Sequence, residues 1–216
     1  MCCAKTVYKS YECTDGKSYE KDEKNRKGIK PGEHFIWITR GLKKGSGNAG
    51  LTNFLRMYGP STALLVVAID VLKAVAACIF GRMLLTPHGY GQEGLLLGGL
   101  AVNLGHDFPA LLGFRGGKGV LCGITAAFVA DWRCALLVVA VFAICLWLTR
   151  YVSLSSSLGA LTFVVTFPIV HRHNIPVAVM GALLGLFIVF MHRSNISRLV
   201  KGTERKATFS KFRKDK

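Results

Sequence analysis

Six apolar stretches follow one another between Ser61 and Met191, and no other feature restricts the fold so strongly. The first, about 61–80, is long enough to cross a bilayer core, which takes about 20 helical residues. The others lie near 94–105, 119–130, 134–149, 154–170 and 176–191. None shows the period-2 alternation of a half-buried strand. The expected fold class is therefore all-α: a polytopic transmembrane helical bundle of about six membrane segments. The stretches at 94–105 and 119–130 fall short of the ~17 residues a span usually needs, so flanking residues extend them or they are re-entrant. Gly94, Gly98, Gly99, Gly181 and Gly185 suit close helix packing in lipid.

The net charge of +16 would suggest nucleic acid in a soluble chain, but its distribution argues otherwise. Residues 1–48 hold 11 Lys/Arg against 6 Asp/Glu, and residues 192–216 hold 9 against 2, while the 143 between hold 8 and 4. Basic water-facing ends on an apolar centre fit a membrane protein, with no nucleic-acid partner. Cys78, Cys122, Cys134 and Cys145 lie in apolar runs and read as small hydrophobes. Cys2, Cys3 and Cys13 show no C-x-x-C spacing, so no metal site is expected. No apolar signal segment precedes residue 35.

Four connections carry the polar chemistry: 43–59, 105–120, 149–157 and 192–206. An even number of segments separates each from the next, so all four emerge on one side. The opposite connections, "TPHGYGQE", "DWR" and "HRHNI", carry little positive charge, which places the four in the cytoplasm with Met1 and Lys216. One face then gathers Ser46, Asn48, Arg56, His106, Arg115, Lys118, Arg150, Ser156, Asn195 and Arg198. Glycine-rich turns, a lysine, arginines and small hydroxyls are phosphate ligands. "GFRGGKGV" (113–120) reads as an anion cradle at the start of the third segment. It is not a nucleotide P-loop, because Gly119 follows the lysine and Leu112 replaces the first glycine. A tight interfacial turn with Lys118 snorkelling to phospholipid explains this stretch alone equally well.

Other residues have quieter readings. Asp70 and Lys73, at i and i+3 in the first segment, are expected to face the bundle and pair. His171 and His173 fall on the far side and are expected to be solvated, and Glu204 and Lys206 to cap the tail or meet headgroups. His106 is the side chain whose intrinsic pKa best suits a general base, with the substrate phosphate as the other candidate acceptor, and a donor that organises its loop is the favoured alternative role.

"GSGNAGLTNFLR", "GHDFPALLGFRGGKGV", "TRYVSLSS" and "HRSNISRLVKGTE", in that order, resemble the bacterial acyl-phosphate:glycerol-3-phosphate acyltransferases, integral membrane enzymes of phospholipid synthesis. The resemblance covers about 45–206. It implies transfer of a fatty acyl group from acyl-phosphate to the 1-hydroxyl of sn-glycerol 3-phosphate, giving lysophosphatidate and phosphate. It also implies that Lys118 and the amides around Gly116, Gly117 and Gly119 hold a phosphate. Ser46, Asn48, Thr52, Asn53 and Arg56 would line the same pocket, completed by Asn195, Arg198 and either Ser155 or Ser156. Two departures stand out. A polar lysine-rich head takes the place of the family's first membrane helix with its Gly-Ser-x-Pro element. Leu121 and Cys122 stand where the family has Ala-Thr.

An acyl-phosphate is already activated, so the implied chemistry asks for orientation and charge stabilisation rather than a cofactor or an acyl-enzyme. The expected organisation is a basic head (1–44), a membrane acyltransferase domain (45–206) and a basic tail (207–216), in the cell membrane with the active face cytoplasmic. Two other readings are open at this point: a transporter of a phosphorylated anion, and an inactive truncated relative. A transporter would place its ligands near mid-membrane.

Overall fold

The computed structural model describes residues 50, 51, 55, 60–110, 113, 114 and 116–207. Ser46, Asn48, Thr52, Asn53, Arg56 and Arg115 lie outside the described residues, as do the 1–44 head and most of the 207–216 tail. Seven α-helices follow: α1 Pro60–Leu85, α2 Gly91–Asp107, α3 Val120–Ala130, α4 Trp132–Thr149, α5 Val152–Val170, α6 Ile175–Met191 and α7 Arg193–Val200. No strand occurs among the described residues.

Six of the seven helices coincide with the six apolar stretches. Three have the length and apolarity of a full span: Ala63–His88, Trp132–Thr149 and Val152–Val170. The pair α6–α7 forms a further span if its 52° bend is counted within one segment. α7 is the addition. The 192–206 connection was expected to be a loop, yet Arg193–Val200 is helical. α3 has 11 residues, which rise about 16 Å at 1.5 Å each and cannot cross a ~30 Å core. The turn leading into α3 therefore sits within the bundle, and Gly116, Gly117 and Gly119 are all buried.

Large apolar side chains point outward along the helices. Trp147 is 81% exposed and Leu64 and Leu72 are each 69% exposed, a surface that suits lipid and would be unfavourable in water. The interior is built from small and aromatic residues, including Cys78, Leu95, Ala126, Cys134, Phe163, Phe167 and Leu184. Helices α1 and α2 meet backbone to backbone. A Cβ on Gly81 would overlap the carbonyl of Gly94, and one on Gly98 would overlap that of Ala77. Gly81→Val is accordingly expected to lower stability by on the order of 3 kcal/mol. A fall in detergent melting temperature with unchanged membrane insertion checks it.

The two ends of the bundle differ in chemistry. At one end Asp131 caps α4, accepting from the Arg133 N–H at 2.9 Å and from its guanidinium at 2.8 Å. These donors hold the Asp131 carboxyl down at about 2, against the opposing effect of burial. His171 contradicts its expected solvation: it lies 3.2 Å from Asp131 Oδ2 and stacks on Phe167 at 4.2 Å. The cause is proximity that chain order hides, since the α3–α4 corner meets the C-terminus of α5. The other end carries the candidate site.

Candidate active site

The stretch 113–119 folds back on the C-terminus of α2. The N–H of Gly116 donates to the Asp107 carbonyl at 3.0 Å, and that of Gly117 to the His106 carbonyl at 3.1 Å. A Cβ on Gly117 would overlap the His106 imidazole, and one on Gly116 the His106 carbonyl. Gly119 precedes α3 with φ +61, the left-handed region that glycine occupies without strain. These glycines thus have a packing cause apart from any anion. Two of the amides expected to hold a phosphate are engaged by the protein's own carbonyls, which leaves Lys118 as the loop's charged donor among the described residues.

Lys118 turns from the loop toward α7. Its Nζ donates to Asn195 Oδ1. Asn195 Nδ2 donates to Glu204 Oε1 at 2.7 Å, Arg198 Nε to Glu204 Oε2 at 2.7 Å, and Ser153 Oγ to Glu204 Oε1 at 2.8 Å. Residues from 105–120, 149–157 and 192–206 therefore meet at one end, as the even segment counts required. Burial, with the nearby Arg198 cation, pushes Lys118 down to about 8, while Glu204 and Asp107 oppose the shift. Burial alone would raise Glu204, but the Asn195, Arg198 and Ser153 donors outweigh it and hold the carboxylate below its usual range.

Sequence reasoning passed over Ser153 and His192, and it gave Glu204 only a tail-capping or headgroup role, whereas the carboxylate is the acceptor at the centre of the cluster. Glu204 is one of two acidic groups among nine cations in 192–216, a signal that something in the cluster needs a carboxylate. Ser155 and Ser156, the expected hydroxyls, are both buried and donate to the Tyr151 and Val152 carbonyls one turn back. The helix register presents Ser153 to the cluster instead. His192 is 3% exposed at the α6–α7 bend, near Lys118 and Glu204. Its Nδ1 lies 2.8 Å from the Ile188 carbonyl, which can only accept, so Nδ1 carries the hydrogen and Nε2 the lone pair of the neutral ring.

His106 has the opposite arrangement. Lys73 Nζ lies 2.7 Å from His106 Nδ1 and 2.6 Å from Asp70 Oδ1. An ammonium only donates, so Nδ1 accepts and the hydrogen of the neutral ring is on Nε2. The lone pair a base would use is committed to Lys73. The expected Asp70–Lys73 pair is present, and His106 is its third member.

Fold and cluster together define an all-helical, multi-pass membrane protein with a lysine–asparagine–arginine–glutamate cluster at one end of the bundle. The family model described as glycerol-3-phosphate acyltransferase matches residues 38–202. A relative of that name from Thermoanaerobacter sp. (strain X514) is 40% identical over 162 residues, 75% of this chain and 79% of its own. Glycerol-3-phosphate acyltransferase 1 of Deinococcus radiodurans is 37% identical over 185 residues, 83% of this chain and 89% of its own. The crystal structure of PlsY (YgiH), an integral membrane glycerol 3-phosphate acyltransferase in its glycerol 3-phosphate form, superposes with TM-score 0.68 at 30% identity. That superposition covers 82% of this chain and 92% of PlsY. Its lysophosphatidic acid form gives TM-score 0.65 at 34% identity, covering 81% and 90%. The chain belongs to the glycerol-3-phosphate acyltransferase family.

Proposed function

We propose that this chain transfers a fatty acyl group from acyl-phosphate to the 1-hydroxyl of sn-glycerol 3-phosphate, at the cytoplasmic face of the cell membrane. The hydroxyl oxygen attacks the acyl carbon and a new ester C–O bond forms. The bond from the acyl carbon to the phosphate oxygen breaks. The hydroxyl proton ends on the released phosphate, so the products are lysophosphatidate and inorganic phosphate. The observation that carries this reading is the half-buried Lys118 ammonium, held among Asn195, Arg198 and Glu204 at one end of a membrane bundle.

Two phosphate-bearing substrates repel each other, and a cationic pocket with oriented donors offsets that repulsion. Lys118, Asn195 and Arg198 supply the charge and donors on the α7 side. Ser46, Asn48, Thr52, Asn53 and Arg56, all within the stretch that the family model matches, are assigned to substrate binding with them. Gly116, Gly117 and Gly119 shape the loop that carries Lys118. Ser155 and Ser156 have their hydroxyls turned to carbonyls of their own helix. His106 acts as the loop's organiser. His192, with Nε2 unprotonated in its neutral form, is the imidazole of this end whose lone pair is not committed by the hydrogen bond that fixes its tautomer, and it is proposed to receive the hydroxyl proton in transit to phosphate.

The test is reconstitution of the full chain in vesicles with acyl-phosphate and glycerol 3-phosphate. Equimolar phosphate and lysophosphatidate are expected, with no product when an acyl thioester replaces the acyl-phosphate. Product from the thioester alone would overturn the donor assignment. The rate should also depend on pH through Lys118. Its charged form binds the anion, so kcat/KM for glycerol 3-phosphate is expected to hold below pH 8. Above that it falls as the free enzyme's ammonium deprotonates near 8. A pH profile of kcat/KM that stays flat to pH 9.5 would contradict that role.

A further inference from the structure

Three ligand-type side chains converge beneath the glycine loop: one ligand atom each of Asp70, His106 and Cys122 lies within 4.8 Å of the other two. Asp, His and Cys are the residue types that bind zinc. Here the position is taken by a cation of the protein's own. The Lys73 ammonium stands 2.6 Å from the carboxylate and 2.7 Å from the imidazole nitrogen, while those two atoms are 3.5 Å apart.

What the ammonium does follows from the neighbours of His106. Its ring lies against Gly117 so closely that no side chain fits there, and its carbonyl accepts the Gly117 N–H at 3.1 Å. His106 therefore grips from two sides the residue next to Lys118. A ring free to turn about its side-chain torsions would leave that grip to the backbone bond alone. Lys73 fixes the ring's orientation and its tautomer, and Asp70, only 8% exposed at its side chain, fixes Lys73.

We propose that Lys73 is a positioning residue for substrate binding: its ammonium, anchored by Asp70, holds His106 under Gly117 and thereby sets the loop that presents Lys118. The inference rests on the reading of Lys118 as a phosphate ligand. It assigns a catalytic-site task to a charge pair that lies in the first spanning helix, remote in sequence from the loop. The Cys122 thiol, within 4.8 Å of the Asp70 and His106 ligand atoms, donates weakly to the Asp70 backbone carbonyl at 3.9 Å.

Two measurements on the full chain test it. In vesicles, Lys73→Ala is expected to raise KM for glycerol 3-phosphate about 10- to 100-fold with a smaller change in kcat, since a slight misplacement costs on that order. Lys73→Arg keeps a donor-only cation and is expected to stay within about threefold of wild type. Lys118→Ala is assayed in parallel. The second measurement is zinc retention after equilibration with zinc and removal of the free metal. Lys73→Ala, with the ammonium gone, is expected to keep close to one zinc per chain, whereas wild type and Lys73→Ala/Cys122→Ala keep none. Unchanged KM in Lys73→Ala beside a raised KM in Lys118→Ala overturns the proposal. So does equal zinc retention by wild type and Lys73→Ala. Unchanged KM in both variants overturns the phosphate-site reading and, with it, the substrate-positioning role of Lys73.

Discussion

Lys118→Ala is expected to lower acyl transfer by about 10²–10³-fold at matched membrane content, the usual cost of one well-placed electrostatic donor. The ammonium is the one charged group of the 113–119 loop among the described residues, and it already lies within the Asn195–Glu204 network. Removing it leaves Asn195 and Arg198 to face a phosphate without the loop. Lys118→Arg should recover little. The charge is kept, but the planar fork is larger and projects its donors differently, and the space beside Asn195 is confined. Gly117→Val should abolish activity as well, yet it separates nothing, because the added methyls displace His106 whether or not phosphate binds there. Phosphate release and lysophosphatidate formation in membranes carrying each variant give the comparison, and wild-type turnover in Lys118→Ala would return the glycine run to an interfacial turn.

The second large effect is at Glu204. Its carboxylate receives three donors, from Ser153, Asn195 and Arg198. Hydrogen bonds to charged acceptors contribute about 1.5–3 kcal/mol each and do not add fully, so Glu204→Ala is expected to cost on the order of 3 kcal/mol. It should appear as a fall in detergent melting temperature and a matching loss of assembled protein. Glu204→Gln keeps an oxygen acceptor and should recover part of the loss. A functional signature accompanies the structural one. Glu204 holds the Lys118 pKa up against burial, so its removal lets that pKa fall further. The alkaline limb of kcat/KM should then move to lower pH in Glu204→Gln than in wild type. An unmoved limb would show that the carboxylate stabilises the fold without reaching Lys118.

The sequence disclosed the helices well and the side-chain contacts poorly, for physical reasons that particular residues make plain. Membrane helices announce themselves because their lipid-facing turns must be apolar, and each of α1 through α6 falls on one of the apolar stretches, although α3 is too short to cross. Counting them was enough to bring 105–120, 149–157 and 192–206 to one end, and the Lys118–Asn195 and Ser153–Glu204 contacts join those three connections. α7 escaped notice because an amphipathic helix of eight residues at an interface is polar enough to resemble a loop. Ser155 and Ser156 came from the family resemblance, and the chain alone gives no register that would have pointed to Ser153. Only the starting point of α5 decides which hydroxyl faces Glu204. The commitment of the His106 lone pair depends on Lys73, 33 residues earlier, and no local pattern records such a meeting. The glycines were legible as a group with a cause, but the chain alone could not divide that cause between an anion and the close packing of 116–119 on α2.

The central claim is that the Lys118–Asn195–Arg198 cluster is where the phosphate of glycerol 3-phosphate is held. Equilibrium binding of radiolabelled glycerol 3-phosphate to the full chain in vesicles, without acyl donor, tests it most directly. Wild type should bind saturably near pH 7 and lose the ligand to competing excess unlabelled glycerol 3-phosphate but not to glycerol. Lys118→Ala, inserted at equal amount, should show binding reduced by at least tenfold, on the order expected for one charge-assisted contact of ~1.5–3 kcal/mol. Undiminished binding in Lys118→Ala, or equal competition by glycerol, would contradict the claim.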